Sequence, residues 1–224
     1  MNKPLAKTYK RNQVEQAVWS LFSQTSGRDP IPRPFRTRIK RLLELDREKQ
    51  AETRENFAFF DAPAEGKGVE VVFSPFNAFC LTLGLDLLDI GFKQSEVVSC
   101  LQILRDKFEW LYDKIWENPP HPAHRIRVWE DTDLPVYIWN GKEYLDTKVF
   151  ILIRKVELRE AWPLVKGKDP LILEPVICFG TTEAREELLK MTLDFRSYVI
   201  LELSEIAVLV KKHLEETPAR KRGR

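Results

Sequence analysis

The sequence predicts an α+β protein with a helical first half and a second half that mixes strands with helices. Three observations carry that expectation. Ser74 to Gln102 holds two helical patterns that meet at Gly91-Phe92, and apolar residues recur at helical spacing from Val14 to Ile115. After a proline-rich break at residues 118–122, the apolar residues gather into short β-prone runs.

Composition narrows the possible functions. At 224 residues the chain fits one or two domains, and 43% apolar content is enough for a buried core. Its net charge of +2 is unevenly divided: residues 1–41 carry ten Lys or Arg against Glu15 and Asp29, a net of +8, which leaves −6 for residues 42–224. An asymmetry of this kind suits one end to a polyanion. The tail Arg220-Lys221-Arg222-Gly223-Arg224 forms a second basic site. Cys80, Cys100 and Cys178 sit in apolar runs without Cys-x-x-Cys spacing, so neither a disulfide framework nor a zinc site is expected. No apolar run reaches the roughly 18 residues of a membrane span, and MNKPLAKTYKR has no apolar signal core. A cytoplasmic protein with no membrane contact is expected.

The elements follow in order. Asn12 is placed to cap a helix over 12–23 with Glu15 as its third residue, and Val14, Ala17, Val18, Leu21 and Phe22 form its apolar stripe. The connector SQTSGRDPIPRP, with three prolines, cannot continue it. In FRTRIKRLLELDR, Phe35, Ile39, Leu42 and Leu43 share one helical face, and Arg36, Thr37, Lys40 and Arg41 share the opposite one. Residues 47–56 read as helix extension or loop. Phe57–Phe60 and Val69–Phe73 are β-prone, and DAPAEGKG between them predicts a hairpin with Lys67 near its tip. Ser74 then caps a helix that has Pro75 at its first position, where a missing N–H costs nothing.

Beyond the Gly91-Phe92 hinge, Val97, Leu101, Leu104, Phe108, Leu111 and Ile115 repeat in heptad-like steps along an expected long helix, 94–117. Such a stripe either packs on its own domain or forms a seam for self-association. Residues 118–133 read as a linker. Strands are expected over Leu134–Trp139, Val149–Leu158, Leu171–Phe179 and Tyr198–Leu203, with helices over Thr182–Met191 and Ser204–Leu214. The expected plan is a winged helix-turn-helix domain over 1–117, a small α+β domain over 134–216 and a basic tail over 217–224.

The order of the N-terminal parts resembles the DNA-binding domain of MerR-type transcription regulators over about residues 10–115. The corresponding pieces are NQVEQAVWSLF, FRTRIKRLLELDR, the wing FAFFDAPAEGKGVEVVF, SPFNAFCLTLGLDLLDI and GFKQSEVVSCLQILR. The first connector is longer than that family's tight turn, and Lys40-Arg41 stands where the family has a tyrosine pair. The resemblance implies a bacterial, sequence-specific reader of double-stranded DNA that regulates transcription as a homodimer. Arg36, Thr37, Lys40 and Arg41 would meet the major groove, Lys67 the backbone beside the wing, and Arg33, Arg38, Lys10 and Arg11 further phosphates. Val97, Leu101, Leu104, Phe108, Leu111 and Ile115 would form the dimer seam. Residues 134–216 would serve oligomerisation or bind a small-molecule or protein effector. Metal sensing does not carry over, because the family's ligand cysteines have no counterpart here.

Two other classes stay in view. A protein-interaction adaptor would use the helical half for docking and the basic end for solubility. A metal-dependent nuclease would use Glu130, Asp131, Asp133, Lys142 and Glu143, since carboxylates with a lysine can hold Mg²⁺. His121 and His124 lie in a proline-flanked linker without the spacing of a metal site. No Gly-x-Gly-x-x-Gly, P-loop, Gly-x-Ser-x-Gly or His-Glu-x-x-His pattern occurs, so no catalytic residue, cofactor or metal is expected.

Overall fold

The computed structural model of the chain describes residues 7–23, 30–53, 56–62, 71–117, 119, 136–139, 142–154, 175–194 and 198–218. In chain order its elements are β1 (Tyr9–Lys10), α1 (Arg11–Ser23), α2 (Arg33–Thr53), β2 (Val72–Phe73), α3 (Pro75–Asp89), α4 (Gln94–Ile103), α5 (Arg105–Glu117), β3 (Val136–Trp139), β4 (Lys142–Leu145), β5 (Val149–Arg154), β6 (Val176–Phe179), α6 (Thr181–Asp194), β7 (Tyr198–Glu202) and α7 (Leu203–Glu216). Helices with small antiparallel sheets make this an α+β chain. It forms two compact units, residues 1–112 with 206–224 and residues 113–205. The expected linker 118–133 and the end of the basic tail lie outside the described residues, apart from Pro119.

In the first unit, Tyr9 pairs with Phe73 and Lys10 with Val72 in a short antiparallel ladder. That pairing fixes where the extended chain ends and α1 begins. The cap therefore differs from the expected Asn12–Glu15 box. The Gln13 side chain reaches back to accept the Lys10 N–H at 3.1 Å, which leaves Glu15 to pair with Arg11. Val14, Ala17 and Val18 are buried, as the helical spacing predicts. α2 runs well past Arg47 to Thr53 and buries Ile39, Leu42, Leu43 and Asp46 on one face.

Phe57–Phe60 forms no strand, contrary to the hairpin expectation, and β2 takes Tyr9–Lys10 as its partner instead. The reason lies in where the backbone of this segment finds its hydrogen bonds. The Asp46 carboxylate accepts the N–H groups of Ala58 and Phe59 at 2.7 and 2.9 Å, and the Arg105 guanidinium donates to the carbonyls of Phe57 and Ala58 at 2.8 and 3.0 Å. Side chains thus satisfy the groups that a ladder would have satisfied. Freed from pleating, Phe57, Ala58, Phe59 and Phe60 are all buried. The expected wing tip, with Lys67, lies outside the described residues.

The start of α3 follows the sequence signal. Ser74 Oγ accepts the Asn77 N–H at 3.1 Å, and Pro75 occupies the first helical position. The helix is buried on nearly every side, including Phe79, Cys80, Leu81 and Leu83. Gly84 permits this closeness: a Cβ there would meet the Phe59 ring at 3.2 Å and Leu101 at 3.3 Å. The helix ends at the predicted hinge. Gly91 has φ +98°, its N–H donates to Leu88 and that of Phe92 donates to Leu87, which is the Schellman arrangement. Glu96 then accepts the Lys93 N–H at 2.8 Å and starts α4.

The expected single helix over 94–117 is two helices, interrupted at Leu104, where the backbone takes φ −93° and ψ 6°. Its heptad-like stripe is not a free seam. Val97, Leu101, Leu104, Phe108, Leu111 and Ile115 are each at most 9% exposed within the chain itself. Of the two readings of the stripe, intrachain packing is the one realised, and these six residues are not available for dimerisation.

In the second unit, β5 is the centre of an antiparallel sheet of order β6-β5-β7, with Phe150 opposite both Cys178 and Glu202. α6 covers it, and Leu152, Cys178 and Ala184 form the core. The Asp146 carboxylate accepts from the backbone and hydroxyl of Thr181, which satisfies the start of α6. β3 and β4 pair separately, from Val136 opposite Leu145 to Trp139 opposite Lys142.

Arg105 is the test of this account. Arg105→Met removes four donated bonds, leaves the buried carbonyls of Phe57 and Ala58 unpaired, and should lower the urea-unfolding free energy by about 3 kcal/mol or more. Asp61, one of its partners, is 60% exposed at its side chain, so Asp61→Ala should cost under about 1 kcal/mol. Equal losses in the two variants would contradict the assignment.

Candidate nucleic-acid interface

The cationic face of α2 is built by helix geometry. Ile39, Leu42 and Leu43 hold one side of the helix in the core, so Arg33, Arg36, Arg38, Lys40 and Arg41 remain exposed. Thr37 is half-buried and donates its hydroxyl to the Arg33 carbonyl at 2.9 Å, a bond internal to the helix.

Three of the cations have carboxylate partners. Arg38 Nη1 lies 2.6 Å from Asp89 Oδ1, Lys40 Nζ lies 3.5 Å from Glu44, and Arg36 Nε lies 3.9 Å from Glu15. The Arg38 and Lys40 pairs have both side chains at least half exposed. Exposed pairs of this sort contribute only about 0–1 kcal/mol and weaken in salt. A phosphate can replace such a carboxylate at little cost. Arg33 and Arg41 make no ion pair among the described residues. Arg11, on α1, is 2.7 Å from the other oxygen of Glu15. Glu15 therefore joins the start of α1 to the basic face of α2. Lys10 is exposed beside Arg11.

An open cleft of about 540 Å³ borders this face, lined by Arg38, Leu45, Leu88, Phe92, Lys93, Gln94 and Ser95. Near it, burial and then the charge of Asp89 push the Asp86 carboxyl up from 3.8 to about 6. Asp89 thus both pairs with Arg38 and raises the Asp86 carboxyl.

The structure brings together Arg33, Arg36, Thr37, Arg38, Lys40 and Arg41 on one helix, with Arg11 linked to Arg36 through Glu15 and Lys10 next to Arg11 in sequence. The linking role of Glu15 escaped the sequence, in which it stands as a capping residue. For nuclease chemistry, Glu130, Asp131 and Asp133 lie outside the described residues, as do His121, His124 and the side chains of Lys142 and Glu143. Among the described residues no group of His, Cys, Asp and Glu is placed to hold a metal. Burial pushes the Cys80 and Cys100 thiols up to about 12 and Cys178 up to about 11, which keeps all three protonated at neutral pH. No described helix is long and apolar enough to cross a membrane. No protein-family model matches the chain, and no curated protein matches it.

The raised carboxyl of Asp86 makes a pH prediction. Its value is higher in the folded than in the unfolded chain, so its contribution to stability is fully present below about pH 4 and is lost as pH rises through about 6. Asp86→Asn removes that loss. Between about pH 4 and pH 8 the unfolding free energy of the variant should gain about 1–3 kcal/mol relative to the parent. A pH-independent difference in urea unfolding would show that the carboxyl is not perturbed.

Proposed function

We propose that the protein is a sequence-specific regulator that binds double-stranded DNA through the exposed face of α2, in the manner of the MerR-type regulators its sequence resembles. The observation that carries this reading is the face itself: five cations at Arg33, Arg36, Arg38, Lys40 and Arg41 around a helix anchored by Ile39, Leu42 and Leu43. Phosphate neutralisation needs clustered cations, and guanidinium groups can also take guanine O6 and N7 together.

In this reading Arg36, Lys40 and Arg41 meet the groove and its flanking phosphates. Arg33, Arg38, Lys10 and Arg11 hold the backbone. Thr37, whose hydroxyl is bonded within α2, contributes through its methyl group. Lys67 would add a contact beside the groove. The reading needs no catalytic step, cofactor or metal, and places the protein in the cytoplasm. Two copies on a symmetric site would have to pair through a surface other than the buried Val97–Ile115 stripe. The unit 113–205 is where an effector would act.

A second reading, the protein-interaction adaptor, is favoured by Ile103 and Trp110, which are 44% and 48% exposed and stand seven residues apart. It differs in one measurable respect: an adaptor binds no duplex.

Equilibrium binding of a random-sequence duplex across a salt series tests the proposal. The double variant Arg36→Ala, Arg41→Ala should lose at least tenfold in affinity at low salt and reduce the log–log salt slope by about 1.8, at about 0.9 per lost phosphate contact. Its circular dichroism should match the parent, because both side chains are exposed. An unchanged slope would move the DNA contact off α2.

A further inference from the structure

α2 is tied at two places to the segment that joins α3 to α4. Arg38 Nη1 meets Asp89 at 2.6 Å, and Lys49 Nζ donates to the Ser95 carbonyl at 2.9 Å and to the Ser99 hydroxyl. On α2 the ties are eleven residues apart, about 16 Å along the helix at 1.5 Å per residue. Between them the two sides do not close. The cleft of about 540 Å³ is the space that remains, with Arg38 and Leu45 on one side and residues of 88–95 on the other.

The lining divides by chemistry. Leu45 comes from α2, Leu88 from the last turn of α3 and Phe92 from the hinge, and all three are half-buried. They form an apolar wall. Arg38 and Lys93 supply two cations, Gln94 and Ser95 add an amide and a hydroxyl at the start of α4, and no acidic residue lines the cleft. Two carboxylates of the adjoining chain are already engaged: Asp89 pairs with Arg38, and Glu96 accepts the Lys93 N–H at 2.8 Å. Donors are left over. A guanidinium carries five N–H groups, of which the Asp89 bond takes one. The Lys93 ammonium has no ion pair among the described residues. Because the Arg38 and Asp89 side chains are 54% and 51% exposed, an incoming anion displaces Asp89 at little cost.

We infer that this cleft binds a small organic anion with an apolar body, of the aromatic carboxylate class. The carboxylate accepts from Arg38 and Lys93, and the ring lies against Leu45, Leu88 and Phe92. Both halves of the lining are then used. Sites for small ligands commonly have about 300–1,000 Å³, an apolar lining and a few polar groups that fix orientation, which is the pattern here. The site belongs to the first unit, apart from any effector of the unit 113–205. It shares Arg38 with the DNA-binding reading but does not rest on it.

The test titrates the full chain, labelled for amide NMR and held at constant salt, with 2-naphthoate, with its neutral counterpart 2-naphthamide and with inorganic phosphate. Naphthoate should shift the amides of residues 88–95 saturably and bind at least about threefold tighter than naphthamide, the size of preference that exposed charge pairs supply. Phosphate, which leaves the apolar wall uncovered, should bind more weakly than naphthoate. Arg38→Gln and Lys93→Gln, both at exposed positions, should each weaken naphthoate by about threefold and leave naphthamide unchanged. Amides outside the cleft report whether each variant keeps its fold, and the naphthamide comparison on the parent needs no variant. Equal binding of naphthoate and naphthamide, or naphthoate binding that neither variant alters, overturns the role of the anion. Phosphate binding as tight as that of naphthoate overturns the apolar half. With naphthoate at about 10 mM, well into the range of weak binding, the absence of a saturable shift over 88–95 overturns the site. No duplex is present, so each of these outcomes leaves the α2 reading where it stood.

Discussion

The first unit depends on one buried polar network, in which Asp46 and Arg105 take over the backbone of residues 57–59. Asp46 is fully buried on α2, where burial raises its carboxyl and the N–H groups of Ala58 and Phe59, the Gln102 amide and the Arg105 charge pull it back down. Gln102 donates to Asp46 at 2.9 Å, and Arg105 binds two carbonyls together with Asp61 and Asn77. Residues from α2, α3, the end of α4 and the start of α5 therefore converge on two peptide groups, Phe57–Ala58 and Ala58–Phe59. Burying a carboxylate and a guanidinium is costly unless their hydrogen-bonding groups are met, and here they are.

This arrangement bears on function by setting the rotation of α2. Asp46 lies seven residues beyond Ile39 and four beyond Leu42, on the same face, so the bonds it accepts pin that face inward. Arg41 is left on the outside as a geometric consequence, and Arg36, nearer the start of the helix, is exposed as well. The same network lets Phe59 pack against Gly84, where α3 has no side chain to hold it off. A core residue and a surface charge are thus two ends of one constraint. Further out, Glu15 connects α1 to α2 by weak, salt-sensitive pairs. Strong contacts hold the helix in place, and weak ones leave its cations exchangeable.

Local signals were the legible part of the sequence. Ser74-Pro75 and Gly91-Phe92 specify their own geometry with a cap, a proline and a left-handed glycine, and the structure places them as read. Helical spacing gave α1, α2, α6 and α7 with small shifts at the ends. Partners distant in sequence were not legible. Phe57–Phe60 has strand composition, yet two side chains at positions 46 and 105 take its hydrogen bonds, and no local pattern announces that. Tyr9-Lys10 is too short to read as a strand, although it pairs with Val72-Phe73. The second strand of the β3–β4 hairpin was missed despite its signal, the Asn140-Gly141 pair between two β-prone runs. In the candidate interface the cations were legible by type and spacing. Their carboxylate partners Glu15 and Asp89 and the return of Thr217 to Gln13 were not, because each joins separate elements.

The central claim is that α2 presents a face that reads duplex DNA. Hydrogen exchange across α2, with and without duplex at low salt, addresses it most directly. The account predicts added protection over residues 33–44 on duplex addition, screened out as salt rises, with no change in the buried segment 57–60. Duplex-dependent protection elsewhere in the chain, with α2 exchanging as in the free protein, would contradict it.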